Sequence, residues 1–154
     1  MEIFTYGHSV RDPAELDVVL GERRFGFVAD IRRFPGEKKN PGFGTESVQG
    51  RCLAHGTTYV ALGRQLGGGR SEGYREYMGT SAFAEGIEEL SSLARRQPTL
   101  ILGRAAWYFR CVRKYLADEL LRQGFVVSHL LDDSRAFRHR LGCYRIAAAP
   151  DTCE

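Results

Sequence analysis

The side chains able to do acid–base, nucleophilic or anion-binding chemistry fall in a few short stretches of the chain. His8 sits in Gly7-His8-Ser9, with Arg11 close behind. Asp30 stands near the end of the apolar run 25–31 and is followed by Arg32, Arg33, Lys38 and Lys39. Arg64 and Arg70 bracket a segment containing Gly67 and Gly68, and Arg104 follows the apolar run 99–102. Cys111 lies between Arg110 and Arg113. A guanidinium presents a planar fork of donors that matches phosphate or carboxylate oxygens. An imidazole titrates near neutral pH, so His8 with Asp30 would form an acid–base pair. Asp30 has a second reading, as an acid that pairs with Arg32 or Arg33 and fixes their loop. Cys111, in the first turn of a helix and between two cations, would favour its thiolate, the form that attacks electrophiles. Its other reading is a small buried packing residue.

These groups meet only if the chain gathers them. Residues 3–6, 25–31, 58–62, 99–102 and 125–131 read as strands, since each is a short apolar run bounded by turn signals. Helices fall between them. Asp12 caps the first, with Pro13 at its first position and Glu15 completing a capping box. Thr45 caps a second, which His55-Gly56 ends. Ser81 caps a third, in which Phe83, Ile87, Leu90 and Ala94 recur at helical spacing. Another runs from about Trp107 to Gln123, with Gly124 as its stop.

The alternation predicts a single α/β domain with a mostly parallel five-stranded sheet and helices on both faces, Rossmann-like or flavodoxin-like. Residues 1–131 form that domain, and 132–154 are a basic C-terminal extension of it. In the extension Arg135, Arg138, His139 and Arg140 read as one more helical turn, and 144–149 as an edge strand or loose end. In a parallel sheet the residues after each strand share one edge, where ligands of open α/β sheets bind. His8, Asp30, Arg32, Arg33, Arg64, Arg104, Asp132 and Asp133 are therefore expected there, beside helix N-termini that offer further N–H donors.

Composition narrows the function classes. A chain of 154 residues that is 43% hydrophobic and 27% charged suits one packed domain rather than a disordered segment. A net charge of +3 excludes a histone-like polycation, so any anion binding must come from local clustering. Cys52, Cys111, Cys143 and Cys153 form no C-x-x-C pair, which predicts reduced thiols and a cytoplasmic setting. No apolar run approaches the roughly 20 residues of a membrane span. His55, His129 and His139 show no ligand spacing, so no metal is assigned. The glycine loop 63–70 is neither a dinucleotide fingerprint nor a Walker loop, and no cofactor is assigned.

The segments TYGHSVR at 5–11, DIRRFPGEKKNPGF at 30–43, the Leu-Gly-Gly at 66–68, and Arg110-Cys111 with Arg113 together resemble the domain of unknown function family 488. The resemblance extends over roughly residues 4–131. It implies an α/β domain in a prokaryotic cytoplasm, with no settled activity. Carried over by position, the family's motif residues fall on His8, Ser9, Arg11, Asp30, Arg32, Pro35, Pro41, Phe43, Gly67, Gly68, Cys111 and Arg113. The chain departs at three positions: Gly103, Ala105 and Val112 stand where the family usually has Cys, Glu and His.

Three functions follow as expectations. The first is a protein that acts on or binds a phosphate-bearing ligand, nucleic acid or nucleotide, held by Ser9, Arg11, Arg32, Arg33, Arg64, Gly67, Gly68, Arg70, Arg104 and Arg113. The second is a thiol-dependent small-molecule enzyme using Cys111. The third is a non-catalytic binding module.

Overall fold

The computed structural model describes residues 1–9, 11–36, 40–132 and 134–142. Lys38, Lys39, Asp133, Cys143, Cys153 and the stretch 144–149 lie outside the described residues.

Apolar runs build the sheet as the sequence requires. Its parallel strands are β1 (Glu2–Gly7), β2 (Phe27–Asp30), β3 (Thr58–Ala61), β4 (Thr99–Gly103) and β5 (Val126–Leu130). Every residue of β2 and β4 is buried, as expected of strands covered on both faces. Successive side chains point to opposite faces, so Leu100 and Leu102 enter one core while Ile101 enters the other. The first core packs α1 (Pro13–Arg23) and α2 (Thr45–Ala54) on the sheet through Leu16, Val19, Leu20, Val48 and Cys52. The second packs α3 (Gly63–Leu66), α4 (Tyr74–Tyr77), α5 (Ser81–Arg96) and α6 (Arg113–Arg122), with Phe83, Ile87, Leu90, Leu116 and Leu120 at its centre. The fold is thus α/β with helices on both faces. Among the described residues no helix is long and apolar enough to cross a membrane.

Three expectations change. The sheet has six strands, because β6 (Ala136–Arg138) adds antiparallel to β5. Residues 136–138 are therefore strand, not the helical turn expected. This edge strand is three residues long with both ends exposed, so it carries no apolar alternation to read. The strand order is β3-β2-β4-β1-β5-β6, which places β4 between β2 and β1. That is neither the dinucleotide-binding nor the flavodoxin order.

The last long helix is also shorter than expected. A 3-10 turn at Tyr108–Arg110 precedes α6, and Cys111 between them is extended (φ −135°, ψ 156°). The cause is packing: Tyr108 is buried and stacks on His129 of β5 at 3.8 Å, which pulls the aromatic segment onto the sheet before the helix can begin. The caps shift by a residue as well. Gly44 and Thr80 hold the N-cap positions of α2 and α5, and the Thr80 hydroxyl accepts from Phe83 N. Asp12 caps α1 as expected, accepting from Ala14 N at 2.9 Å.

Candidate functional site

The end of β2 is organised by a buried ion pair. Asp30 Oδ1 accepts from Arg32 N (3.0 Å) and Nε (2.9 Å), and Oδ2 accepts from Arg32 Nη2 (2.8 Å) and the Tyr59 hydroxyl (2.5 Å). Those four bonds use the acceptor capacity of a carboxylate. Arg32 Nη1 donates to the Phe43 carbonyl at 2.5 Å and lies 3.3 Å from His8 Nε2. His8 is 1% exposed and stacks on the Phe43 ring at 4.6 Å.

Asp30 therefore does not touch His8, since Arg32 stands between them. The direct acid–base pair read from the sequence is replaced by a structural line, Asp30–Arg32–His8. A guanidinium donating to Nε2 requires a neutral imidazole with its proton on Nδ1, which faces the Ser9 carbonyl at 3.4 Å. Burial, with Asp30 alongside, pushes the Tyr59 phenol upward and the Cys52 thiol up to about 11. Cys52 is thus an inert core thiol.

In front of this line lies a hollow of about 510 Å³ at the carboxyl ends of the strands. It forms where the connection from β2 runs outward to β3 while that from β4 runs the other way to β5. Of the candidate residues named from the sequence, Ser9, Arg32, Arg33, Gly68, Arg104 and Cys111 line it. Arg110 and Phe34, which the site expected from sequence does not include, also line it. Among the described residues its lining holds four arginines, Arg32, Arg33, Arg104 and Arg110, and no carboxylate, although Arg32 pairs with Asp30 beside it. The loops are tied to one another: Arg33 Nη1 donates to the Gly69 carbonyl at 2.8 Å, Arg104 Nη2 to the Phe34 carbonyl at 2.7 Å, and Ser9 N to the Arg104 carbonyl at 2.7 Å. The Phe34 ring is 69% exposed, with the Arg33 guanidinium 5.2 Å from its centre. A second hollow, of similar size, lies near Met1, Phe4, Arg23 and Pro98 and includes none of the loops that follow strands.

Behind the wall sits Arg113, 1% exposed. Its Nη2 donates to the carbonyls of Ala105 and, at 3.4 Å, Ala106, and its Nη1 to Thr5 Oγ1 at 3.3 Å. From Thr5 a line of bonds continues through the interior. Thr5 Oγ1 is 2.6 Å from His129 Nδ1, His129 Nε2 is 3.0 Å from His139 Nδ1, and His139 Nε2 is 2.7 Å from Asp118 Oδ1. One proton arrangement satisfies every link. Thr5 donates to Nδ1 of a neutral His129, whose Nε2–H donates to His139, whose Nε2–H donates to Asp118. The chain thus runs one way from a cation to an anion across β1, β5, the residue after β6, and α6. Burial, with His139 and Arg113 nearby, holds His129 well below its ordinary pKa; burial also lowers His139 against the pull of Asp118. Sequence reading missed this line, because it joins residues from separate elements.

Other expected ligand groups do different work. Arg70 clasps the Gly67 (3.0 Å) and Arg64 (2.6 Å) carbonyls and covers the Tyr77 ring. The Arg64 side chain is exposed and does not line the hollow. Arg11 donates to the Gly7 carbonyl at 2.8 Å and to the Leu131 carbonyl. Gly67 serves packing, since a Cβ there would lie 2.5 Å from the Gly63 carbonyl oxygen. Asp132 caps the turn into β6 through Ser134 and Arg135, which hold its carboxylate below the usual range.

Gly7 is required by close approach: a Cβ there would lie 1.7 Å from the Ala105 oxygen that Arg113 grips. Gly7→Ala is expected to cost about 1–3 kcal/mol in denaturant unfolding. Gly50→Ala, in open space on α2, should instead stabilise by about 0.5–1 kcal/mol.

No curated protein and no solved structure matches this chain. The family model described as "Domain of unknown function DUF488" matches residues 16–120. That span takes in Asp30, the arginines of the hollow, Cys111 and Arg113, while His8, Ser9 and Arg11 precede it. Matched over more than half its length, the chain belongs to the family of unknown function DUF488.

Proposed function

We propose that the strand-end hollow binds a phosphate-bearing ligand, a nucleotide or a short stretch of single-stranded nucleic acid. The observation that carries this reading is the lining: Arg33, Arg104 and Arg110, from the loops that follow β2 and β4, together with Arg32, which is itself paired with Asp30. Guanidinium groups gathered at one hollow suit a multiply charged anion, whose oxygens their planar forks match. Gly68 and Gly69 let backbone approach the ligand closely. Phe34, exposed at the mouth and flanked by Arg33, offers a flat apolar face to a base. A reduced Cys111 in the wall suits a cytoplasmic setting.

Calorimetric titration with inorganic phosphate, a nucleoside monophosphate and a short oligonucleotide tests this. Arg104→Met should weaken all three. For the oligonucleotide, log K should fall with log salt by about 0.7 for each phosphate contacted. Phe34→Ala should weaken the nucleotide about tenfold, the loss of roughly 1.4 kcal/mol of stacking, and leave inorganic phosphate unchanged. Absence of phosphate binding at low salt would sink the proposal.

A second reading, a binding module without turnover, is favoured by one observation. Gly103, Ala105 and Val112, the positions that depart from the family's usual Cys, Glu and His, all line this hollow.

A further inference from the structure

We propose that Cys111 is a nucleophile toward the phosphorus of a phosphate monoester or anhydride held in this hollow, transferring the phosphoryl group to water through a phosphocysteine. This rests on the reading of the hollow as a phosphate site and adds a reaction to it.

Three observations converge on the sulfur. Cys111 is half-buried in the wall of the hollow. Its carbonyl accepts from Lys114 N at 3.2 Å, so it stands at the positive end of the ten-residue α6. The buried Arg113 is the third and independent observation. Its direct hydrogen-bond partners are uncharged oxygens of Thr5, Ala105 and Ala106, and its buried Nε has no hydrogen-bond partner. A Cβ on Gly103 would lie 3.0 Å from that Nε and 3.1 Å from Cys111 Sγ, so both crowd the same spot in the wall. A buried guanidinium keeps its charge only beside a compensating one. The group placed to supply it is Cys111, whose Sγ crowds the same spot in the wall as Arg113 Nε.

The chemistry balances without a cofactor. A lone pair on the thiolate attacks phosphorus, and the S–P bond forms as the P–O bond to the leaving group breaks. The leaving group departs with that electron pair and takes a proton from water. Water then attacks phosphorus, the S–P pair returns to sulfur, and inorganic phosphate leaves. Arg33, Arg104 and Arg110 are placed to bear the charge on the equatorial oxygens. Among the described residues no carboxylate or imidazole lines the hollow to protonate a leaving group. The substrate class is therefore one whose leaving group is stable as an anion: an aryl phosphate, an acyl phosphate or a phosphoanhydride.

Orthovanadate tests the step without knowledge of the natural substrate, because it adds a nucleophile to give a trigonal-bipyramidal adduct. Affinities for orthovanadate and inorganic phosphate are measured on wild type, Cys111→Ser and Cys111→Ala, each checked for a native unfolding midpoint. Wild type should bind vanadate about 100-fold more tightly than phosphate, as transition-state analogues do, with reversal by EDTA excluding oxidation. Both variants should keep phosphate affinity and lose the vanadate excess. Equal affinity for the two anions in wild type, or an excess that survives in the variants, overturns the nucleophile and leaves the phosphate site standing. Failure of either anion to bind overturns both.

Discussion

Asp30→Asn is expected to lose about 3–5 kcal/mol of unfolding free energy, the cost of stranding a buried charge. Both side chains of the Asp30–Arg32 pair are 1% exposed, so solvent cannot take over from the lost carboxylate. The amide that replaces Oδ1 or Oδ2 would also set an N–H against donors of Arg32 or Tyr59. Because Arg32 also ties down the Phe43 carbonyl and the His8 ring, the damage should reach the turn after β1. Phosphate affinity should fall with it, since Arg33 and Phe34 continue directly from Arg32 into the hollow. The decisive comparison is the double variant Asp30→Leu with Arg32→Met. Removing both charges leaves no uncompensated ion, so stability should recover most of the loss while the hollow stays impaired. Equilibrium denaturation of the three proteins measures this. A single-variant loss below about 1 kcal/mol would show that the pair does not hold this edge together.

The contrast between Arg32 and its neighbours marks how far a sequence can be read. That His8, Asp30, Arg33, Arg104 and Cys111 lie near one edge follows from topology, because parallel strands bring their ends together whatever the side chains do. Which of them faces outward does not follow. Arg32 turns back onto Asp30, Arg33 opens into the hollow, and nothing in their shared loop distinguishes them before the Phe43 carbonyl and the Tyr59 hydroxyl are in place. Arg70 illustrates the same limit: its glycine-rich setting suits a phosphate, but the bent backbone it sits on presents two carbonyls that bind the guanidinium first. The short β6 hid more. Once residues 136–138 pair with β5, His139 is carried to within 3.0 Å of His129, and a buried polar line appears that no spacing rule encodes.

That line makes acid the condition under which the protein should fail first. His129 and His139 both have depressed pKa values in the folded state, so below about pH 6.5 the unfolded chain binds more protons than the native one. Stability is therefore full above that pH and declines as pH falls toward the folded values. For His129, held well below its ordinary value, the loss accumulates as pH falls below about 6.5, with a further loss from His139. The resistance to protonation has a direct cause. Charging His129 would place a cation against Arg113 and His139 and turn its Nδ1 into a donor facing the Thr5 hydroxyl, reversing a line whose polarity is set by Arg113 at one end and Asp118 at the other. Denaturant midpoints measured from pH 7.5 to 5 should fall steeply in wild type and about one proton less steeply in His129→Gln. Profiles of equal slope in the two proteins would mean that His129 titrates alike folded and unfolded, and that the interior line does not resist its protonation.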